Sequence, residues 1–311
     1  MLSIKAASYF VPSTRLKIAD SLERFSLEKI QARVFSTFYG LDEVPCAHKM
    51  TVTELIKKPI EDLLNKTKIQ KQHIKYVIHA HTAKVITRFG RSVVREVVEA
   101  LNLNHSLVFG TSLHNCASTL NAFDIAESLL NEHDDEEAYA IIVTGERAFT
   151  PTVQVIPNTS ITGDAAAAVL VNLKGKHDQM IHLEMKTAGQ FYRGIWLTPE
   201  ESQLFEKEYV PLLAGTILKA VENAGLSLSD IKLILPHNVN LISWEKTAKA
   251  LNFPYSKIFL SNVRKYAHCF GSDILINYAD ANAAALLSPG DYYLMATVGL
   301  GATFAVAVFK H

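Results

Sequence analysis

The sequence predicts an α/β layered protein in which strands and helices alternate along the chain. Short β-branched runs, such as residues 76–80 (YVIHA), alternate with segments such as 91–101, whose apolar residues recur at helical spacing. The two halves also end alike: IIVTGERAF and then GDAAAAVLVNL close the first, and YYLMATVGLGATFAVAVF closes the second. With 311 residues, 49% of them hydrophobic, the chain can bury a substantial core.

The first half shows this alternation in order. Residues 76–80 and 140–144 (AIIVT) are short apolar runs and predict buried strands. Residues 91–101 and 118–130 carry apolar side chains three and four positions apart, which predicts helices. Residues 165–171 (AAAAVLV) follow a Gly-Asp turn and predict another buried strand.

The second half repeats the plan, which indicates an internal duplication. Its patterns predict helices over 210–224, 244–251 and 274–286, and strands over 231–235, 258–260, 292–296 and 303–309. We therefore expect an N-terminal half at 1–173 and a C-terminal half at 174–311, joined through the polar segment 172–178 (NLKGKHD).

Composition excludes several classes of function. Lys plus Arg is 31 and Asp plus Glu is 31, so the formal net charge of zero argues against nucleic acid or an acidic membrane as partner. No stretch approaches the roughly 20 apolar residues of a membrane span. The three cysteines, Cys46, Cys116 and Cys269, are too few and too far apart for a disulfide framework or a metal site. We expect a cytoplasmic protein without a bound metal.

Cys116 is the first candidate for chemistry. It lies in GTSLHNCASTLNAF, where small polar residues lead into an amphipathic helix. The positive end of the helix dipole would favour the thiolate form, which is the nucleophile. The alternative from local sequence is a small buried hydrophobic residue.

Two histidines in the second half are candidates for acid–base roles. His237 follows the strand IKLIL in LPHNVN, at the carboxyl end of a strand where α/β sites form. His268 lies five residues before Asp273 in KYAHCFGSDILIN. Asp273 can cap the helix that begins there, or it can hold the His268 imidazole in the tautomer needed for base catalysis.

The glycine motifs do not fit nucleotide binding. The sequence has neither GxxxxGK[ST] nor a GxGxxG that opens a helix. Gly299 and Gly301 lie between two predicted strands, so we expect a tight turn that lends backbone N–H groups to a site.

The order of these motifs resembles β-ketoacyl-acyl-carrier-protein synthase III and its relatives in the thiolase-fold superfamily. The opening ASYFVPSTRLKIADSLERF, the segment TGDAAAAVLV, the motif PHNVN and the ending VGLGATFAVAV all look like segments of this family. The resemblance implies a thiolase-like fold, with two duplicated α/β halves in five layers (α-β-α-β-α). It also implies a homodimer whose substrate is a thioester of an acyl carrier protein or of coenzyme A, and no cofactor.

The resemblance also implies roles for individual residues. Cys116 matches the acyl-accepting cysteine, His237 the catalytic histidine, and Asn240 a supporting asparagine. Gly299 and Gly301 match the glycine-rich turn beside the cysteine. Phe89 lies near the aromatic residue that such dimers insert across the subunit boundary.

Two departures from the family pattern bear on the reaction. Ketosynthases of this type carry Gly-Asn-Thr-Ser where this chain has Ala-His-Cys-Phe at 267–270, so His268 replaces an asparagine that assists malonyl decarboxylation. A second neutral imidazole would suit a Cys-His-His condensing enzyme. The His-x4-Asp spacing resembles instead a divergent branch that transfers acyl groups with a nucleophile-His-Asp triad. The other departure is Ile242, where relatives that bind carrier proteins often have a basic residue.

Three functions follow from this reading. The favoured one is an acyltransferase that loads Cys116 and passes the acyl group to a hydroxyl or amine of a small-molecule acceptor, in secondary-metabolite synthesis. The alternative is a decarboxylative ketosynthase of fatty-acid or polyketide synthesis, in which His237 and His268 stabilise an enolate. The acyltransferase is favoured because Asp273 has no role in the ketosynthase. A third reading is the inactive partner subunit of a condensing-enzyme heterodimer, against which the presence of Cys116 argues.

Overall fold

The computed structural model describes residues 1–82 and 87–311. Its strands are β1 (Ser3–Phe10), β2 (Arg15–Lys17), β3 (Glu43–Pro45), β4 (Ile74–Ala80), β5 (Leu107–Thr111), β6 (Tyr139–Glu146), β7 (Val155–Ile156), β8 (Ser160–Ile161), β9 (Ala165–Asn172), β10 (Gln179–Thr187), β11 (Ile231–Pro236), β12 (Tyr292–Gly299) and β13 (Thr303–Lys310). Its α-helices are α1 (Leu22–Phe25), α2 (Lys29–Thr37), α3 (Val52–Thr67), α4 (Val93–Ala100), α5 (Ser118–Asn131), α6 (Pro151–Gln154), α7 (Pro199–Asn223), α8 (Leu241–Leu251), α9 (Val263–Tyr266) and α10 (Asp273–Ala283).

The main sheet of the described residues has nine strands in the order β11-β12-β13-β10-β1-β9-β6-β4-β5. In the first half, β4 pairs in parallel with β5 and β6, and β9 runs antiparallel between β6 and β1. In the second half, β11 pairs in parallel with β12, and β13 runs antiparallel between β12 and β10. Among the described residues, β5 has no counterpart in the second half; the other strands repeat one arrangement, and β1 and β10 join the halves through the register pair Ser3–Gln179.

Hydrophobic packing places the helices in layers around the two halves of the sheet. α5 and α10 contribute Phe123 and Ile276 to a central cluster that also takes in residues of both half-sheets. α3 and α4 cover the opposite face of β4, β6 and β9. α7 and α8 cover the opposite face of β11, β12 and β13. The order α3/α4, half-sheet, α5/α10, half-sheet, α7/α8 confirms the predicted five-layered α/β fold.

The strands covered on both faces are those with uninterrupted apolar runs. Every residue of β9 (AAAAVLVN) is buried, and so is every residue of β13 except its last. Such runs are typical of strands with helices on both sides, where no position needs a polar side chain.

Two predicted elements differ from the structure. The helix predicted over 210–224 begins eleven residues earlier, at Pro199, where Thr198 and Glu201 form a capping box. No strand forms over 258–260: Ile258 makes one isolated bridge to Ile234, because the segment leaves a 3₁₀ turn at Tyr255–Lys257 and enters α9 at Val263.

Among the helices within residues 1–82 and 87–311, none combines the length and the apolar character that crossing a bilayer requires.

Candidate active site

Cys116 lies where a tight turn runs into a central helix. It occupies the 3₁₀ turn Asn115–Ala117, directly before α5, and is 6% exposed. The sulfur therefore sits at the amino-terminal, electropositive end of the nucleophile helix, as predicted from sequence. The hydroxyl of Thr82 donates a hydrogen bond to Sγ over 3.5 Å, which places one polar hydrogen against the sulfur.

His268 faces this sulfur, with Nε2 3.4 Å from Sγ. Its backbone is fixed from both sides: Gly163 N–H donates to the His268 carbonyl over 2.9 Å, and His268 N–H donates to the Ile161 carbonyl over 3.2 Å. Ala267 (φ +50°) and Phe270 (φ +54°) bracket the histidine in a conformation that non-glycine residues rarely adopt. Such backbone strain persists where the surrounding structure over-determines it, which is common at functional sites.

Asp273 completes the arrangement from the first residue of α10. Its Oδ2 lies 2.6 Å from Nδ1 of His268. The same carboxylate accepts the backbone N–H of Asn238 at Oδ2 and that of Cys269 at Oδ1, each over 2.7 Å. A carboxylate held in this way requires the His268 proton on Nδ1 and turns Nε2 toward the sulfur. The structure therefore brings Cys116, His268 and Asp273 together in the order of a nucleophile-base-acid triad.

The electrostatics of the triad favour a charged imidazole. Burial by itself lowers the pKa of His268, but the Asp273 carboxylate and the Cys116 thiolate outweigh burial and raise that pKa well above its ordinary value. His268 is 3% exposed and Asp273 is fully buried, so water screens these charges little. A charged imidazole beside a cysteine sulfur is an arrangement found in enzymes that use cysteine as a nucleophile.

His237 lies at the carboxyl end of β11, as predicted, with its ring centroid 6.1 Å from that of His268. Its N–H donates to the Ala296 carbonyl and its carbonyl accepts from Nε1 of Trp244, both over 2.9 Å. Its Nε2 lies 3.0 Å from the hydroxyl of Tyr209. Burial, reinforced by the positive charge of His268, lowers the pKa of His237 to about 3, so this ring is neutral near pH 7.

The Gly299–Gly301 turn packs directly against the segment before the nucleophile. A Cβ on Gly299 would lie 1.8 Å from the carbonyl oxygen of His114, so only glycine fits this contact. Nδ2 of Asn115 donates to the Leu300 carbonyl and fastens the turn to the nucleophile segment. The turn therefore lies beside Cys116, where the sequence predicted it.

Asn240 holds the loop that follows His237. Its side chain accepts the N–H of Ser243 over 2.7 Å as the N-cap of α8, and donates to the Thr159 carbonyl over 2.9 Å. Phe89, predicted as a dimer contact, is 107% exposed.

A cavity of about 530 Å³ connects these groups to the surface. Cys116, His237, His268 and Tyr209 line its inner part together with Val298 and Leu300. Trp196 and Tyr192, which are 69% and 71% exposed, also line it. Its size falls within the range of pockets for small ligands, roughly 300–1,000 Å³.

Sequence reasoning missed two residues of this site, Thr82 and Tyr209. Thr82 follows the carboxyl end of β4. Polar residues at the carboxyl ends of parallel strands often belong to functional sites, so its position alone could have marked it as a candidate. Tyr209 lies within α7, in a stretch that the analysis left outside the predicted helix. In the described parts of the chain, His, Cys, Asp and Glu form no group that could hold a metal ion.

Comparisons with known proteins agree with this architecture. The family described as 3-oxoacyl-[acyl-carrier-protein] synthase III C terminal matches residues 221–311. The β-ketoacyl-[acyl-carrier-protein] synthase III of Aquifex aeolicus is 24% identical over 301 residues, covering 93% of this chain and 95% of that protein.

Solved structures share the fold across the whole chain. The 3-oxoacyl-[acyl-carrier-protein] synthase III of Aquifex aeolicus aligns with a TM-score of 0.83 at 20% identity, covering 100% of both chains. An acyltransferase named ChlB3 aligns with a TM-score of 0.86 at 18% identity, covering 99% of this chain and 97% of its own. These findings confirm the predicted resemblance to β-ketoacyl-acyl-carrier-protein synthase III and the thiolase-like fold: the family's C-terminal model matches residues 221–311, and solved structures of that fold align with the whole chain.

Proposed function

We propose that this enzyme is an acyltransferase that takes an acyl group from an acyl-carrier-protein or coenzyme A thioester onto Cys116 and passes it to a hydroxyl or amine. The observation that carries the proposal is the hydrogen-bonded series from Sγ of Cys116 through both nitrogens of His268 to Asp273, at 3.4 and 2.6 Å. The similarity to a protein described as an acyltransferase supports it. A relative named as a synthase is similar over 93% of this chain, so the donor, the acceptor and the pathway are part of the proposal and are what the experiment tests.

In the first half-reaction the thiolate of Cys116 attacks the thioester carbonyl. The tetrahedral intermediate collapses, the bond to the donor sulfur breaks, and the departing thiolate takes the proton from Nε2 of His268. Cys116 is then acylated and His268 is neutral. With the thiolate charge gone, one of the causes that raise the pKa of His268 is removed, which suits the imidazole to act next as a base.

In the second half-reaction an acceptor hydroxyl or amine gives its proton to Nε2 of His268 as its oxygen or nitrogen attacks the acyl carbonyl. The intermediate collapses, the carbon–sulfur bond breaks, and Cys116 returns to a thiolate beside the re-formed imidazolium. Asp273 stabilises that positive charge and keeps the ring in place. We assign the oxyanion to backbone N–H groups of Cys116 and of the Gly299–Gly301 turn, because that turn is fastened against the nucleophile segment.

One observation favours a decarboxylative ketosynthase as the second candidate. His237 and His268 both line the cavity with Cys116, so two rings are close to a bound thioester. The carboxylate of Asp273 argues against the ketosynthase. A histidine that acts as a base needs this carboxylate to stabilise its positive charge, whereas a neutral histidine that only donates a hydrogen bond to an enolate does not. An inactive partner subunit would have no use for the triad.

The assembly and location are part of the same proposal. We propose a cytoplasmic homodimer without a cofactor. The two subunits would pair through β5, which is the edge strand of the main sheet on the side of the first half among the described residues. Phe89 and Leu113 are 107% and 88% exposed, and apolar side chains so fully exposed are usual at subunit boundaries.

The test is a loading and transfer experiment. The chain is incubated with coenzyme A thioesters from acetyl to lauroyl, and Cys116 is followed by intact-protein mass. Benzyl alcohol and benzylamine then serve as acceptor probes, and carbon dioxide release from malonyl-coenzyme A is measured separately. The proposal expects an acyl mass increment that is absent in Cys116→Ala, and its discharge by an acceptor.

Controls separate the candidates. Cys46→Ala removes a second buried cysteine and should load normally, because Arg24 is its side-chain partner and it lies outside the triad. Rapid release of carbon dioxide that depends on His268 would defeat the acyltransferase and establish the ketosynthase. Absence of any loading would leave the inactive-subunit reading.

A further inference from the structure

Tyr209 holds the second histidine of the site through a hydrogen bond that the proposed transfer does not use. Its hydroxyl lies 3.0 Å from Nε2 of His237, and both side chains line the cavity that contains Cys116. Its ring packs edge-on against Phe205, with centroids 5.8 Å apart, and against Phe304 at 5.9 Å. The position of the hydroxyl is therefore set by packing and not by the hydrogen bond alone.

The surroundings of His237 determine which of its nitrogens carries the proton. Nδ1 faces the Ala296 carbonyl oxygen at 3.4 Å, and a carbonyl oxygen can only accept a hydrogen bond. A proton on Nδ1 makes this contact favourable, whereas a lone pair there would face another lone pair. Nε2 is then unprotonated, and it accepts the O–H of Tyr209.

The charge of Tyr209 supports the same direction of donation. Burial raises the pKa of this phenol, and the nearby Cys116 thiolate raises it further, so the hydroxyl keeps its proton. His237 remains neutral for the reasons given above. A neutral tyrosine beside a neutral histidine can form this hydrogen bond at any pH at which the enzyme would work.

We propose that Tyr209 is a specificity-determining residue that withdraws His237 from the substrate carbonyl and so suppresses decarboxylation. Loss of carbon dioxide from a malonyl thioester breaks a carbon–carbon bond and leaves its electron pair on a thioester enolate, which then takes a proton to give the acetyl thioester. The enolate oxygen needs hydrogen-bond donors while it carries that charge. Nε2 of His237 cannot donate while it accepts from Tyr209, so one imidazole, that of His268, is left for the reaction.

The inference rests on the proposed function and explains how a site with two histidines would favour transfer. It predicts that the two imidazoles have different roles. His268 carries a proton to and from the reacting atoms, whereas His237 lines the cavity without exchanging a proton with the substrate. Removing the single oxygen of Tyr209 should free Nε2 of His237 to take a proton and face the cavity.

The test compares the wild type, Tyr209→Phe and the double variant Tyr209→Phe/His237→Leu, in which position 237 has no hydrogen-bond donor on its side chain. Each is assayed for loading of Cys116 from acetyl-coenzyme A and for carbon dioxide release from malonyl-coenzyme A. We expect the rate of carbon dioxide release divided by the rate of Cys116 loading to be at least about tenfold higher in Tyr209→Phe than in the wild type, an effect of the size that one donor to an oxyanion gives. The double variant should fall back to the wild-type ratio. Tyr76→Phe removes a hydroxyl that bonds the Leu129 carbonyl outside the cavity and should change neither rate.

A second measurement does not depend on any variant folding. Nitrogen-15 NMR of histidine-labelled wild type reports the tautomer of His237, which should carry its proton on Nδ1 with Nε2 as an acceptor. A proton on Nε2 would overturn the inference. So would a Tyr209→Phe variant that loads Cys116 but shows no rise in decarboxylation relative to loading, or a rise that persists in the double variant. Failure of the wild type to load Cys116 would count against the proposed function, and the NMR result would still decide the inference.

Discussion

Replacement of Asp273 by asparagine tests the triad, because it removes one charge and almost no volume. The carboxylate accepts three strong hydrogen bonds: from Nδ1 of His268 (2.6 Å) and the N–H of Asn238 (2.7 Å) at Oδ2, and from the N–H of Cys269 (2.7 Å) at Oδ1. An amide has one acceptor oxygen. The orientation that keeps most bonds places this oxygen at the Oδ2 position, so the N–H of Cys269 then faces an NH₂ group.

Two separate losses follow from this geometry, one in the stability of the fold and one in the rate of transfer. A buried donor without an acceptor costs about 1–3 kcal/mol, which we expect as a lower free energy of unfolding in urea. The imidazolium that forms when His268 takes the acceptor proton loses a charge-assisted hydrogen bond worth about 1.5–3 kcal/mol. That loss corresponds to a fall of about tenfold to a hundredfold in kcat/KM for acyl transfer.

The assay follows transfer from a preloaded acyl-Cys116 to benzylamine by mass. Asp280→Asn is the matched control, because Asp280 also lies in α10 and accepts hydrogen bonds from Tyr9 and Asn262. The control should lose stability but keep transfer within about threefold of the wild type. If folded Asp273→Asn transferred at the wild-type rate, Asp273 would have no role in orienting or charging His268. An equal loss of transfer in Asp280→Asn would show that the effect is general destabilisation.

Three further predictions follow from the same contacts. Gly299→Ala places a Cβ 1.8 Å from the His114 carbonyl oxygen, so we expect the free energy of unfolding in urea to fall by at least about 1–3 kcal/mol and Cys116 to load more slowly. The control Gly215→Ala has open space around its Cβ and should be neutral or stabilising. Equal stability of the two variants would contradict the geometry. Because the pKa of His268 is raised, the stability that its charged ring contributes is fully present below the ordinary pKa of about 6.5 and is lost as pH rises through the raised value. The wild type should therefore exceed His268→Asn in free energy of unfolding most at about pH 6 and should lose that advantage at alkaline pH, and an advantage that grows with pH would refute the raised pKa. Finally, Phe89→Ser should weaken a homodimer measured by light scattering, and a wild type that is monomeric at all concentrations would end the dimer proposal.

Local patterns were sufficient for the elements that form the core. The apolar runs at 140–144 and 165–171 became β6 and β9 because strands buried on both faces favour apolar residues at nearly every position, and this preference is visible in the sequence. Three strands of the main sheet, β1, β5 and β10, were not predicted, and their compositions are mixed, as in QMIHLEMKT of β10. They became strands because neighbours in the sheet pair with their backbones, and backbone pairing leaves no periodic mark.

The residue types of the site were predictable, but their partnerships were not. Cys116 before a helix, His237 after a strand and His268 five residues before Asp273 are all local features of the sequence. The contact between Cys116 and His268 spans 152 positions, and it exists because the turn Asn115–Ala117 before α5 packs against the turn Phe270–Ser272 before α10. The hydrogen bond between Tyr209 and His237 depends likewise on how α7 lies against β10 and β13, which only packing decides.

The sequence by itself therefore determined the layered α/β fold, its duplication and the chemical groups that the proposed acyl-enzyme would use. The tertiary structure decided which imidazole serves the thiol and which is occupied elsewhere. The physical reason is that burial pattern and capping act over a few residues, whereas hydrogen-bond partners and pKa values depend on the distances between side chains that folding brings together.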